Sequence, residues 1–208
     1  MAQPTLFDAG EIVLTDGEKG RTFYVPRFVD AATAARWFAQ LREAVPWRTQ
    51  RRVMYDREVD VPRMLGHFRL DPPAPSTPVA VLEARQRVSE RLQIAFNAVG
   101  LNLYRDGRDS VAPHNDHLYE IEKGFPIALV SLGAARRMTL REKDPPRRAT
   151  HIDLDAGSLL VMDYTTQLHY THAVPKTAAP VGERISLAFR VKRARTDRAA
   201  SETAEIHR

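Results

Sequence analysis

His114 and Asp116 stand two residues apart in Ser110-Val111-Ala112-Pro113-His114-Asn115-Asp116, and His172 follows in His169-Tyr170-Thr171-His172-Ala173-Val174-Pro175. Two imidazoles and a carboxylate on one face of a metal leave the opposite positions open, a donor set suited to non-haem Fe(II) that activates oxygen. Just downstream, Arg184-Ile185-Ser186-Leu187-Ala188-Phe189-Arg190 alternates polar and apolar residues with an arginine at each end. Guanidinium forks match carboxylates, so this segment suits a dicarboxylate co-substrate. The chemistry these residues point to is an oxygenase using Fe(II), 2-oxoglutarate and O2.

The spacing carries part of that reading. Residues i and i+2 of a strand face the same way, so His114 and Asp116 can converge on one ion while Asn115 points elsewhere. Alone, a His-x-Asp pair is weak, and the downstream residues give it weight. His169 and His172 compete for the third place. Their surroundings are not helical in pattern, on a strand they face opposite sides, and His172 stands nearer the arginine segment, so His172 is preferred. His67, His117, His151 and His207 have no spacing argument of their own. Arg184, Ser186, Ala188 and Arg190 share one face of their strand, and Ile185, Leu187, Phe189 and Val191 the other. Two cations and a hydroxyl are costly to bury without anions, which a bound dicarboxylate supplies.

The elements that must position these residues change in texture along the chain. Asp30 is an N-cap for a helix through about Val45, with Trp37, Phe38, Leu41 and Val45 on one face. A second helix is predicted to start at Ser76-Thr77-Pro78 with a hydroxyl cap, to run through Leu82, Val88, Leu92 and Phe96, and to stop at Gly100. Asp71-Pro72-Pro73-Ala74-Pro75 between them is loop. After Gly100, short runs at Leu101–Tyr104, Ile127–Leu132, Arg137–Leu140, Leu159–Asp163 and Ile185–Val191 are separated by turn residues. This pattern predicts a sandwich or jelly roll with helices on one outer face. The fold class expected is α+β, helices first and then a double-sheet core.

At 208 residues with no internal repeat, one domain is expected over residues 1–192, followed by a polar, flexible tail at 193–208. The absence of cysteine excludes disulfides, iron–sulfur ligation and thiol catalysis. No apolar run is long enough to span a bilayer, and the first residues lack a basic and apolar leader pattern, so a cytoplasmic protein with no membrane partner is expected. The formal net charge of +5 is compatible with a phosphate-backbone partner, although much of the excess lies in Lys192-Arg193-Ala194-Arg195-Thr196-Asp197-Arg198.

From about Phe28 to Val191 the chain resembles the AlkB-type branch of the 2-oxoglutarate dioxygenases. The resemblance rests, in order, on Val61-Pro62-Arg63, Asn102-Leu103-Tyr104-Arg105-Asp106-Gly107, His114-Asn115-Asp116, Ser131-Leu132-Gly133-Ala134-Ala135-Arg136, Gly157-Ser158-Leu159-Leu160-Val161-Met162, His172-Ala173-Val174-Pro175 and Arg184–Arg190. It implies a double-stranded β-helix (jelly-roll) fold, with Fe(II) on His114, Asp116 and His172. It implies a 2-oxoglutarate site that includes Asn102, Tyr104, Arg184, Ser186 and Arg190, Arg184 meeting the distal carboxylate and Arg190 lying near the chelating one. It also implies oxidative demethylation of N-alkylated nucleobases in DNA or RNA, with release of formaldehyde, succinate and carbon dioxide. The partner expected is single-stranded or flipped-base nucleic acid, and the enzyme is expected to be monomeric.

Two departures bear on the substrate. The family's Arg-x-Asn-x-Thr-x-Arg strand reads here Arg184-x-Ser186-x-Ala188-x-Arg190, and the acidic residue that nucleic-acid demethylases commonly carry two positions after the iron-bound aspartate is Leu118. The segment after Arg63 is short for a nucleotide-recognition lid, which leaves Phe68 as the candidate aromatic wall and Arg63, Arg69 and Arg105 as candidate phosphate contacts. The alternative is the same oxygenase chemistry on a small molecule, lipid or protein side chain. A non-catalytic binding module has no need of the ligand set and both arginines.

Overall fold

The computed structural model describes residues 10–54 and 57–193, the stretches 50–54 and 57–60 by backbone alone. Its elements are β1 (Ile12–Thr15), β2 (Thr22–Val25), α1 (Ala31–Ala44), β3 (Arg48–Met54), β4 (Arg57–Arg69), α2 (Val79–Leu92), β5 (Ala98–Tyr104) and β6 (Val111–His114). They continue with β7 (Ile127–Gly133), β8 (Arg136–Glu142), β9 (Ala149–Leu154), β10 (Ser158–Met162), α3 (Tyr164–His169), β11 (Tyr170–Val174) and β12 (Arg184–Arg190). Two antiparallel sheets result, an eight-stranded one in the order β1-β2-β10-β7-β12-β5-β4-β3 and a four-stranded one in the order β6-β11-β8-β9. None of the described helices is long and apolar enough to cross a membrane.

The central strands β2, β10, β7 and β12 of the large sheet are buried on both faces, and this explains their near-continuous apolar sequences. Ala128, Val130 and Leu132 of β7, Leu159 and Val161 of β10, and Ile185, Leu187 and Phe189 of β12 belong to the core shared with the helices. Their alternates Ile127, Leu129, Leu160 and Met162 join Met138, Leu140 and Val174 of the small sheet in a second core. β12 departs from that pattern, because its inward positions are Arg184, Ser186, Ala188 and Arg190. A polar strip therefore lies between the two sheets.

α1 follows the sequence reading closely. The Asp30 carboxylate accepts from Thr33 N at 2.8 Å, satisfying an otherwise orphaned helix donor, a contribution of about 1 kcal/mol. Trp37 and Leu41 are buried against the large sheet, and Trp37 Nε1 donates to Glu83 Oε2 on α2 at 2.7 Å.

α2 departs from it at both ends. Its N-cap is Pro78, with no side-chain cap, and Thr77 Oγ1 has no hydrogen-bond partner among the described residues. The helix stops at Gln93, whose φ of 56° is left-handed, well before Gly100. Ala98 to Tyr104 is extended because β12 and β4 hydrogen-bond to it on either side. Gly100 is thus a mid-strand residue facing Arg190, whose Nη1 would lie 3.3 Å from any Cβ placed there.

The N-terminal third also holds more strand than expected. β1 to β4 extend the large sheet on both sides of the central strands, and the short segment read as a truncated lid, Met64 to Leu70, is mostly the second strand of the β3–β4 hairpin. The neighbourhood of His169 is partly helical, contrary to the pattern reading, since His169 ends α3 and β11 begins at the next residue. Residues 194–208, which include most of the expected tail, lie outside the described residues.

Candidate active site

Strand pairing brings the two preferred histidines together. His172 on β11 sits directly opposite His114 on β6, and their ring centroids are 4.3 Å apart. Asp116 lies just past the end of β6, and all three line one narrow cavity between the sheets, of about 50 Å³. Asn115 points away, its amide donating to the Tyr170 carbonyl, as alternation requires. His169 does not line this cavity.

Each side chain is prepared electrostatically. Burial pushes His172 down to about 4, and the neighbouring His114 adds to that, so its imidazole stays neutral above that range. Burial lowers His114 too, and its Nδ1 lies 2.9 Å from the Ala112 carbonyl. If Nδ1 carries the proton for that bond, Nε2 is left as a free donor to a metal. Burial opposes ionisation of Asp116, yet Arg190 and His172 outweigh it and hold the carboxyl below its usual range. Arg190 Nη2 donates to Asp116 Oδ1 at 2.6 Å, while among the described residues the buried Asp116 Oδ2 has no hydrogen-bond partner.

Among the described residues the three side chains do not form a closed ligand cluster, since the Asp116 carboxylate is turned toward Arg190. The donor set nevertheless fits a divalent cation. A carboxylate oxygen without a donor, beside two neutral imidazoles, is a buried acceptor group with coordination capacity left for a cation.

The other end of the cavity has the opposite need. Arg184 is 1% exposed, and its Nη2 donates to Ser131 Oγ at 2.8 Å. Among the described residues its Nε and Nη1 have no hydrogen-bond partner and it has no ion-pair partner. Burial lowers its proton affinity, as expected for a cation without a counter-charge. Register places Arg184 opposite Tyr104 and Ser186 opposite Asn102, and the Arg184 guanidinium stands 5.1 Å from the Tyr104 ring centroid. Asn102 Nδ2 reaches Ser186 Oγ at 3.4 Å, and Arg63 Nε donates to Asn102 Oδ1 at 2.8 Å. A carboxylate is the group this corner lacks.

The residues singled out as substrate contacts are distributed unevenly. Arg63 is in the wall of the same cavity rather than on the outer surface. Phe68 and Arg69 line a second cavity of about 390 Å³, which also touches Asp116 and Arg190 and takes in His67, His117, Glu120 and Lys192. Arg105 forms a bidentate pair with Asp109, and neither Arg105 nor Leu118 lines either cavity.

Two participants escaped the sequence reading. Ser131 is a lone hydroxyl in an apolar strand, a signal that could have been read. Gln167 is buried on α3, and its Oε1 accepts from Asp116 N at 3.3 Å, a contact that depends on a fold no local pattern predicts.

Residues 21–190 match the model of the 2OG-Fe(II) oxygenase superfamily. The chain is 31% identical over 197 residues to "Alpha-ketoglutarate-dependent dioxygenase alkB homolog 3" of Bos taurus, covering 86% of this chain and 69% of that protein. It is 40% identical over 120 residues to "DNA oxidative demethylase ALKBH2" of Mus musculus, covering 54% of this chain and 50% of that protein. Among solved structures, one titled "The structure of OsALKBH1" superposes with a TM-score of 0.57 at 15% identity, covering 81% of this chain and 97% of that one. A 2OG-Fe(II) oxygenase family oxidoreductase from Burkholderia pseudomallei gives a TM-score of 0.56 at 14% identity, covering 85% and 88%.

Proposed function

Because the chain belongs to the 2OG-Fe(II) oxygenase superfamily, we propose that it is an AlkB-like dioxygenase that demethylates N-alkylated nucleobases in DNA or RNA. The observation that carries the reading is the pair of complementary deficits in one cavity. Among the described residues Asp116 Oδ2 has no hydrogen-bond donor beside two histidines, and Arg184 has no anionic partner across from them. His114, Asp116 and His172 would hold Fe(II), and Arg184, Arg190, Asn102, Tyr104 and Ser186 would hold 2-oxoglutarate. When bound, iron, 2-oxoglutarate and O2 together supply the oxidation of the N-alkyl carbon.

The chain's own residues do the positioning. The Ala112 carbonyl orients the His114 ring, burial keeps His172 neutral, and Gln167 fixes the backbone of Asp116. Arg184 supplies a buried cation whose orientation Ser131 sets, and Arg63 orients the Asn102 amide. The second cavity opens on Asp116 and Arg190, with Leu65, Phe68 and Ile121 as apolar wall, and a flipped or single-stranded base would enter there. From β5 to β12 the chain alternates between the two sheets except at the β8–β9 hairpin of the small sheet, and this order supports a double-stranded β-helix, or jelly roll. Residues 1–192 would act as one catalytic domain, in a monomeric, cytoplasmic enzyme.

A second reading keeps the chemistry and changes the substrate to a small molecule, lipid or protein side chain. It is favoured by Leu118, an apolar residue that lines neither cavity. Mass spectrometry of single-stranded oligonucleotides carrying 1-methyladenine or 3-methylcytosine, with Fe(II), 2-oxoglutarate and oxygen, separates the two. Loss of the methyl mass is expected, and it should vanish without iron and in His114→Ala. Unchanged oligonucleotides with continuing succinate formation would favour the second reading.

A further inference from the structure

We propose that Arg136 is a positioning residue for the co-substrate, acting through Tyr104 and Arg184 to set the preference for a 2-oxo acid with a second carboxylate. The inference rests on the reading of Arg184 as the partner of that carboxylate.

Arg136 opens β8, is 3% exposed, and does not itself line the metal-side cavity. Its guanidinium donates to three carbonyls, those of Asp106 at 2.9 Å, Asp109 at 2.8 Å and Pro175 at 2.8 Å. The first two belong to the turn that follows β5, the strand of Asn102 and Tyr104. Pro175 follows β11, the strand of His172. One side chain therefore ties the co-substrate wall to the exit of the metal-side strand.

Those carbonyls satisfy donors but supply no net charge. The nearby Asp109 carboxylate is bound to Arg105 through two parallel bonds of 2.8 Å, so only its carbonyl serves Arg136. Arg136 lies 5.6 Å from the Tyr104 ring centroid and Arg184 lies 5.1 Å from the same centroid. Among the described residues neither guanidinium has an ion-pair partner. Two buried cations around one aromatic ring repel each other: burial lowers the proton affinity of Arg184, Tyr104 opposes that, and Arg136 lowers it further. Both charges favour a second carboxylate at Arg184. A 2-oxo acid without that group gains from neither, so the mark of this role is selectivity between the two acids.

The test measures binding to the Mn(II)-loaded protein without oxygen, where no turnover occurs. Calorimetric affinities for 2-oxoglutarate and for 2-oxopentanoate, the same chain without the distal carboxylate, give a ratio. The wild-type ratio should strongly favour the dicarboxylate, and equal affinities would overturn the assignment of Arg184 itself. In Arg136→Met the ratio should fall about fivefold or more. In an Arg184→Met background, where the second carboxylate has lost its fork, the same change should lower the ratio by less. An unchanged ratio in a selective parent, with both acids bound normally or weakened alike, makes Arg136 a structural tie and overturns the proposal. Should Arg136→Met not fold, Arg136→Gln, which keeps amide donors for the carbonyls and removes the charge, is read by the same ratio, with a fall of about threefold expected and no change again overturning it.

Discussion

Arg190 Nη2 lies 2.6 Å from Asp116 Oδ1, so one arginine links the acid beside the two histidines to the strand facing the co-substrate corner. Both side chains are largely buried, at 19% and 12% exposure. Breaking such a pair from one side leaves a charge uncompensated, at a cost of about 3 kcal/mol. Arg190→Met should therefore destabilise the metal-free protein by roughly that amount in urea unfolding. Because Arg190 and a metal compete for the same carboxylate, Mn(II) should raise the melting temperature of the variant more than that of the wild type. An equal shift in both would show that the pair does not compete with metal.

The ligand assignment predicts a contrast between two histidines three residues apart. His172→Ala should lose bound iron and turnover while retaining its fold, and His169→Ala should keep iron near the wild-type stoichiometry. Metal analysis of the two purified variants decides it, and the reverse pattern would move the ligand to His169. Gln167→Leu removes the acceptor for Asp116 N without touching a ligand, and metal affinity should fall roughly 10- to 100-fold.

Legibility in the sequence followed how local each determinant was. Asp30, Trp37 and Leu41 specify α1 within one helical period, and the alternation in Arg184–Arg190 identifies a strand with a polar face. The site reading found His114, Asp116, His172 and the arginines because their types and spacing are unusual together. What escaped depends on neighbours distant in sequence. Gly100 reads as a helix stop, but strand pairing with β12 and β4 makes it extended. The stretch after Arg63 reads as a shortened lid, yet up to Arg69 it lies within β4, where the hairpin and β5 decide the backbone. Arg63 reads as an outward cation, and only the pairing of β4 with β5 turns it toward Asn102.

Acid stability should depend on His172. Its pKa is about 4 in the folded chain against an ordinary value of 6.5 once unfolded. Between those values the unfolded chain binds a proton that the folded chain does not, so stability falls as pH drops through this window and is unaffected above it. The full effect is about 3 kcal/mol. Urea unfolding of the metal-free protein at pH 7 and pH 4.5 should show most of this loss, and His172→Gln should have a shallower dependence. A variant as acid-sensitive as the wild type would assign the loss to other groups.

Arg184 offers the sharpest separation of function from stability. It is a fully buried cation with two unmatched donors and no ion-pair partner among the described residues, so it costs the free protein desolvation energy that the Ser131 hydrogen bond and the Tyr104 ring return only in part. Replacing a buried ionic group by an apolar residue of similar volume is often neutral or stabilising by about 1–4 kcal/mol. Arg184→Met should therefore unfold at equal or higher denaturant concentration than the wild type when no ligand is present. The same change should raise the 2-oxoglutarate KM roughly 10- to 150-fold, the equivalent of one charge-assisted bond of about 1.5–3 kcal/mol. Saturating 2-oxoglutarate should then stabilise the wild type and leave the variant nearly unmoved. A variant that lost stability without ligand and kept its KM would make Arg184 a structural cation satisfied by Ser131 and Tyr104. The opposite pairing, gained stability with lost affinity, is expected of a residue held in an unfavourable place for the sake of its ligand.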